Sequence, residues 1–254
     1  MGLDPDVKRM PAHICSSTEP LFAFNRQIVD ATADYVCAFK PQIACYAALA
    51  AEQQLVKTIA YIQTHYPDIP VILDAKRGDI GITSEKYAEE AFEIYQADAV
   101  TLNPYMGYDA LEPFLARKDK GIILLCRTSN TGAATIQDVQ LANGKRLYEH
   151  VAELAVTQWN HNNNISLVVG ATCVRQMAAV RRIAGDMTFL IPGIGAQGGS
   201  ITEVLKAGLN QYKRGIILNA SRSILYPDNQ DPVLFAEAAG AEAKRVQDMT
   251  MGCL

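Results

Sequence analysis

Short apolar runs rich in β-branched residues recur along the chain, each followed by a polar or glycine-rich turn and then by a segment whose apolar positions fall three and four apart. The first pattern is that of a buried strand and the second that of an amphipathic helix, so together they predict repeated β-α units. Predicted strands are a stub ending at Leu3, then 35–40, 69–76, 99–103, 121–127, 165–170, 188–191 and 215–219. Predicted helices cover 19–34, 47–65, 84–96, 145–160, 175–184, 200–207 and 232–248. Eight strands are the count of a closed α/β barrel, the (β/α)8 or TIM barrel, although an open doubly wound sheet has the same local pattern. The polar residues favour the barrel, because they gather at the carboxyl ends of predicted strands and in the loops that follow, where barrels carry their chemistry. The pattern contains no linker, low-complexity segment or longer repeat, which predicts a single domain over 1–254. Residues 129–144 form the longest irregular stretch, either a surface insertion or an active-site lid, and loops of this length favour the lid.

Composition narrows the class of function more than the fold. With 49% hydrophobic and 20% charged residues the chain has an ordinary globular balance. Its net charge is −4 and its lysines and arginines are scattered among acids, so no extended basic face is offered to nucleic acid or to an anionic membrane. An anionic ligand must be held locally. The six cysteines form no C-x-x-C pair and sit mostly in apolar stretches, which points to a reduced, cytoplasmic setting. No apolar run approaches the length of a membrane span, and the N-terminus lacks a basic region followed by an apolar one. Met1 stands only three residues before Asp4, at what reads as the end of a strand, so the natural chain is expected to begin further upstream.

The densest chemistry lies in Asp74-Ala75-Lys76-Arg77-Gly78-Asp79, directly after an apolar run. Alternation along a strand predicts that Asp74 and Lys76 project to one side, while Asp79 lies beyond the strand. Charges buried in a barrel need partners. Lys40, at the end of another apolar run and followed by Pro41, can complete an alternating set of two lysines and two aspartates. The alternative is an ordinary charged surface turn. A second signal is a phosphate site in two parts. Residues 192–200, starting at Pro192 and rich in glycine, follow a strand and open a helix, where backbone N–H groups meet the helix's positive end. Asn219-Ala220-Ser221-Arg222-Ser223 follows the last strand, and Arg222 offers a planar fork for phosphate oxygens. The four histidines have no i, i+4 partner, no serine lies in a G-x-S-x-G turn, and no cysteine has an adjacent base. The chemistry is left to lysine and aspartate.

These motifs, with Gly2-Leu3-Asp4-Pro5, Phe39-Lys40-Pro41, the stretch from Asp74 to Thr83 and Thr128-Ser129-Asn130, strongly resemble the orotidine 5'-phosphate decarboxylase family, in particular its longer bacterial branch. The resemblance covers nearly the whole chain. It implies a (β/α)8 barrel that converts orotidine 5'-monophosphate to uridine 5'-monophosphate and carbon dioxide, without metal or cofactor, as a homodimer with shared active sites. It further implies that Lys76 is the proton donor within a Lys40, Asp74, Lys76 and Asp79 network, with Asp79, Ile80 and Thr83 reaching into the partner's site. Lys40 and Asp4 would address the ribose hydroxyls, Ser129 the pyrimidine edge and Gln197 the span from base to phosphate. The Pro192 loop, the Ser221 backbone and Arg222 would hold the phosphate. The family normally has a full first strand and a leading segment before the aspartate, of which almost nothing stands here.

Three rivals share some of these features. A magnesium-dependent sugar-phosphate decarboxylase or aldolase would need acidic metal ligands beside the lysine, where Arg77 and Gly78 stand. A Schiff-base aldolase would need an unprotonated lysine, which flanking aspartates oppose. A non-catalytic nucleotide-binding module would have no use for all four network charges.

Overall fold

In the computed structural model, which describes residues 1–194, 200–227 and 231–253, strands and helices alternate as the hydrophobic pattern predicts. The strands among the described residues are β1 (Gly2–Leu3), β2 (Lys40–Pro41), β3 (Ile72–Arg77), β4 (Ala99–Leu102), β5 (Gly121–Arg127), β6 (Ile165–Val169), β7 (Phe189–Pro192) and β8 (Ile216–Asn219). β1 pairs with β2 in parallel, and β3 through β8 form a second sheet in sequence order, with β5 to β8 parallel throughout. The result is a mixed α/β fold on a parallel sheet. The major helices are α1 (Pro20–Thr32), α2 (Glu52–His65), α3 (Gly81–Glu89), α4 (Tyr108–Leu115), α5 (Leu147–Leu154), α6 (Val174–Ala184), α7 (Ile201–Gly208) and α8 (Phe235–Met251). None is long and apolar enough to cross a membrane.

The chain divides into two compact units. The first comprises Met1–Ala75, Glu89–Val100 and Ala220–Gly252, and the second comprises Lys76–Ala88, Thr101–Asn219 and Cys253. In the first unit, α1 starts with a proline at its first position, where the missing N–H is no loss. Its buried Leu21, Phe24, Ile28 and Val29 recur at helical spacing. Phe24 stacks on Phe235 of α8 with ring centroids 5.3 Å apart. Gly240 marks where α8 meets α1, because a methyl group there would stand 2.6 Å from the Ala31 carbonyl oxygen.

In the second unit, β5 to β7 are nearly continuous apolar runs with Ile122, Leu124, Leu167, Val169, Phe189 and Ile191 buried, as strands covered on both faces must be. Arg181 of α6 ties together the segments that lead into β7 and β8. Its guanidinium donates to the carbonyls of Gly208 (2.8 Å), Gly185 (2.8 Å), Met187 (2.6 Å) and Gly215 (2.9 Å), and it lies 3.7 Å from the Phe189 ring centroid. Burial pushes its pKa down to about 10. Arg181→Met keeps the stem but strips four acceptors of their donor, so it is expected to lower stability by about 3 kcal/mol in urea denaturation, without changing substrate affinity.

Several element boundaries differ from the sequence pattern, each for a local reason. The predicted strand 35–40 is reduced to Lys40–Pro41, because Tyr35 closes a 3-10 turn (Ala33–Tyr35) and pairing towards β1 begins only where Met1 N donates to Ala38 O at 2.8 Å. The predicted helix 47–65 is broken, with a one-turn helix Ile43–Ala47 separated from α2 by Ala50 at φ +50. The predicted helices 84–96 and 145–160 each end in a wider turn, Glu90–Ile94 and Ala155–Trp159. Helix α4 falls between the predicted elements; Pro113 lies inside it, yet Ala110, Leu111, Phe114 and Leu115 form its buried stripe.

Candidate active site

The first unit brings together four of the expected residues. Lys40 and Asp74 are 5% and 6% exposed, and their side chains meet with Nζ 2.6 Å from Oδ2. The pairing is set by the backbone: Gly2 and Leu3 face Lys40 and Pro41 across β1 and β2, and isolated bridges join Phe39 to Val71 and Gln42 to Asp74. Asp4 follows β1 directly. Its Oδ1 is buried and makes no hydrogen bond among the described residues. Gly2 brings Asp4 close to Ser221. A methyl group on Gly2 would lie 2.8 Å from Ser221 Cβ and 3.3 Å from Asp4 Oδ1, and Gly2 N donates to Ala220 O at 2.8 Å. Ser221 precedes the one-turn helix Arg222–Leu225, and its carbonyl accepts from Ile224 N (3.0 Å) and Leu225 N (2.9 Å). Arg222 is exposed.

Two participants in this region were not expected. Gly2 was read only as part of a motif; the signal was a glycine at the end of a strand, which often marks close backbone approach. Cys45 was read as an apolar thiol. Burial, followed by the negative charge of Asp4, pushes it up to about 11, and Lys40 and Asp74 also act on it. No sequence signal links Cys45 to those charges.

The second unit carries Lys76, Asp79, Ile80, Thr83, Ser129 and Pro192. Lys76 is exposed, its N donates to Thr101 Oγ1 at 3.0 Å, and its φ is +47. Left-handed backbone at a lysine interrupts regular strand alternation, so the argument that alternation sets Asp74 and Lys76 on one side does not carry past Ala75. A non-glycine residue held there stores strain of about 1 kcal/mol or more, a feature that concentrates at functional positions. Asp79 Oδ1 accepts from Ile80 N at 2.8 Å, which fixes the turn into α3. Ile80 and Thr83 stand exposed at that helix's start, as does Ile82 at 82%. Gly170 admits Ser129, because a methyl group on Gly170 would stand 2.7 Å from Ser129 Cβ. Pro192 pairs with Asn219, and its carbonyl accepts from Ala171 N at 2.9 Å. Gln197, with the rest of 195–199, lies outside the described residues.

A cavity of about 600 Å³ also lies in the second unit, with Tyr105, Cys126, Ile136, Gln137, Tyr148 and Trp159 on its walls. None of the charged residues named above lines it. Its wall is mostly apolar.

The family described as Orotidine 5'-phosphate decarboxylase / HUMPS family matches residues 17–239. A curated relative from Cellvibrio japonicus, "Orotidine 5'-phosphate decarboxylase", is 56% identical over 245 residues, covering 96% of this chain and 89% of its own. Among solved structures, Leishmania donovani OMP decarboxylase superposes with a TM-score of 0.81 at 37% identity, covering 97% of this chain and 92% of that one. Leishmania donovani UMP synthase gives 0.84 at 39% identity, covering 98% of this chain but only 52% of that longer one.

Proposed function

Because the chain belongs to the orotidine 5'-phosphate decarboxylase family, and so converts orotidine 5'-monophosphate to uridine 5'-monophosphate and carbon dioxide at the end of UMP biosynthesis, we propose that Lys76 is its proton donor within a network of Lys40, Asp74, Lys76 and Asp79. The observation that carries this reading is the buried Lys40–Asp74 pair. Two charges taken out of water cost several kcal/mol each, an expense that a surface turn would not incur.

The reaction breaks the bond between a ring carbon and its carboxylate. The electron pair stays on the carbon while carbon dioxide departs, and the Lys76 ammonium then delivers a proton to that carbon. The ammonium stabilises the charge as it develops, with no need for an electron sink. Lys40, held by Asp74, presents its remaining N–H groups to the ribose. The buried, unpartnered Oδ1 of Asp4 suits a ribose hydroxyl. Asp79, facing the substrate carboxylate, disfavours the charged ground state more than the transition state, in which that charge is dispersing. Ser129 reads the pyrimidine edge, Gln197 spans base and phosphate, and the Pro192 loop, the Ser221 backbone and Arg222 hold the phosphate.

The eight strands are proposed to close as one (β/α)8 domain. The bond from Gly2 N to Ala220 O, one residue beyond β8, supports this, as do the bridges from 39 to 71 and from 42 to 74. The exposed Ile80, Ile82 and Thr83 at the start of α3 support a homodimer in which Asp79, Ile80 and Thr83 serve the partner's site.

Loss of orotidine 5'-monophosphate absorbance, followed with and without a chelator, tests the reading. Turnover indifferent to the chelator is expected. Chelator-sensitive turnover would favour a magnesium-dependent relative, and binding without turnover a nucleotide-binding module. In the same assay Arg222→Ala is expected to lower kcat/KM by about two to three powers of ten, since phosphate contacts position the reacting carbon. Arg222 is exposed, so the melting temperature should move little. Near-normal turnover at low substrate would exclude it from the phosphate site.

A further inference from the structure

Immediately before Ser129, the sheet stops specifying the backbone. β5 pairs with β6 in regular register up to Leu125 opposite Val168, then slips so that Arg127 faces Val169. Such an irregularity re-aims the chain next to it and leaves side chains to hold what the ladder no longer holds.

They hold Thr128 at every polar atom it has. Its N–H donates to Gln137 Oε1 at 2.8 Å, and its hydroxyl receives Gln137 Nε2 at 3.0 Å while donating to Asn130 Oδ1 at 2.7 Å. Its carbonyl accepts from Arg127 Nη1. Arg127 is buried and is itself locked by a two-pronged contact to Asp138, Nε to Oδ1 at 2.8 Å and Nη2 to Oδ2 at 3.0 Å. Asp138 is anchored in turn where its carbonyl accepts from Arg146 Nη1 at 2.6 Å. Gly170 closes the other side against Ser129. Gln137 and Asp138 both come from 129–144, the longest irregular stretch of the sequence.

We propose that Gln137 is a positioning residue for base recognition: its amide clamps Thr128 at both its backbone N–H and its hydroxyl and so sets where Ser129 presents itself to the pyrimidine. The inference rests on the reading of Ser129 as the pyrimidine contact. A pyrimidine edge offers alternating donors and acceptors, and a hydrogen-bonding group displaced by a fraction of an ångström loses that match. The Arg127–Asp138 fork makes the clamp rigid, and Gln137 gives it its aim.

The test is binding of uridine 5'-monophosphate and of ribose 5-phosphate to the full chain and to Gln137→Ala, Ser129→Ala and the double variant. Gln137→Ala is expected to weaken the nucleotide about tenfold, the loss of one well-placed hydrogen bond, and ribose 5-phosphate less than about twofold. The double variant should be scarcely worse than Ser129→Ala alone, because both act through one contact. Gln137→Glu, which keeps an oxygen to accept from Thr128 N, should recover part of the loss. Unchanged nucleotide binding in Gln137→Ala overturns the inference while leaving Ser129's role intact. Equal weakening of both ligands, or additive losses in the double variant, also overturns it, since Gln137 would then only support the loop. If Ser129→Ala binds the nucleotide normally, the reading beneath it fails first.

Discussion

Replacing Lys76 with alanine is expected to lower turnover by about five powers of ten, with little change in folding stability. Positioned proton transfer supplies roughly two to four powers of ten, and a fixed charge aimed at a developing anion about two to three more. Both contributions vanish together when the ammonium is removed. Lys76 is exposed, so its loss opens no cavity in the core. Its backbone adds a second, independent readout. At φ +47 every residue except glycine is strained, so Lys76→Gly should be more stable than Lys76→Ala by roughly 1 kcal/mol and equally inactive. Kinetics from the absorbance assay and melting curves of both variants check this. A Lys76→Ala variant retaining more than about one per cent of normal turnover would mean that the proton comes from elsewhere, because that residue loss lies at the weak end of acid catalysis alone.

The strain at Lys76 also marks the limit of what the sequence made legible. Strand positions followed from apolar runs, because β5 to β7 are buried on both faces and leave a continuous signal. The pairing of Lys40 with Asp74 followed from the cost of burying either alone. The backbone of Lys76 did not follow, since period-two alternation assumes regular extended dihedrals that this lysine lacks. Close approaches were equally hidden: Gly2 against Ser221 and Gly170 against Ser129 join residues distant in sequence, and a glycine alone does not say what it makes room for. Cys45 among the charges of Asp4, Lys40 and Asp74 and Gln137 clamping Thr128 belong to the same class, as products of tertiary packing with no local motif. In helix α4 the reverse holds, because Pro113 is a strong local signal that buried Leu111 and Phe114 override.

The Lys40–Asp74 pair allows a sharper separation of structure from chemistry than any single variant. Lys40→Met takes from the buried Asp74 its 2.6 Å contact with Lys40, and removing one member of a buried pair costs about 3 to 5 kcal/mol. That loss is expected in urea denaturation, along with loss of turnover. The double variant Lys40→Met, Asp74→Leu removes both charges and fills much of their volume, so most of the stability should return. Turnover should not. Lys40→Met alone cannot tell a damaged fold from a damaged site, but a double variant that is stable and inactive can, because the burial of this pair is then retained for function and not for folding. If Lys40→Met were as stable as the unmodified chain to within about 1 kcal/mol, the pair would not be the rigid base that the Lys76 chemistry requires.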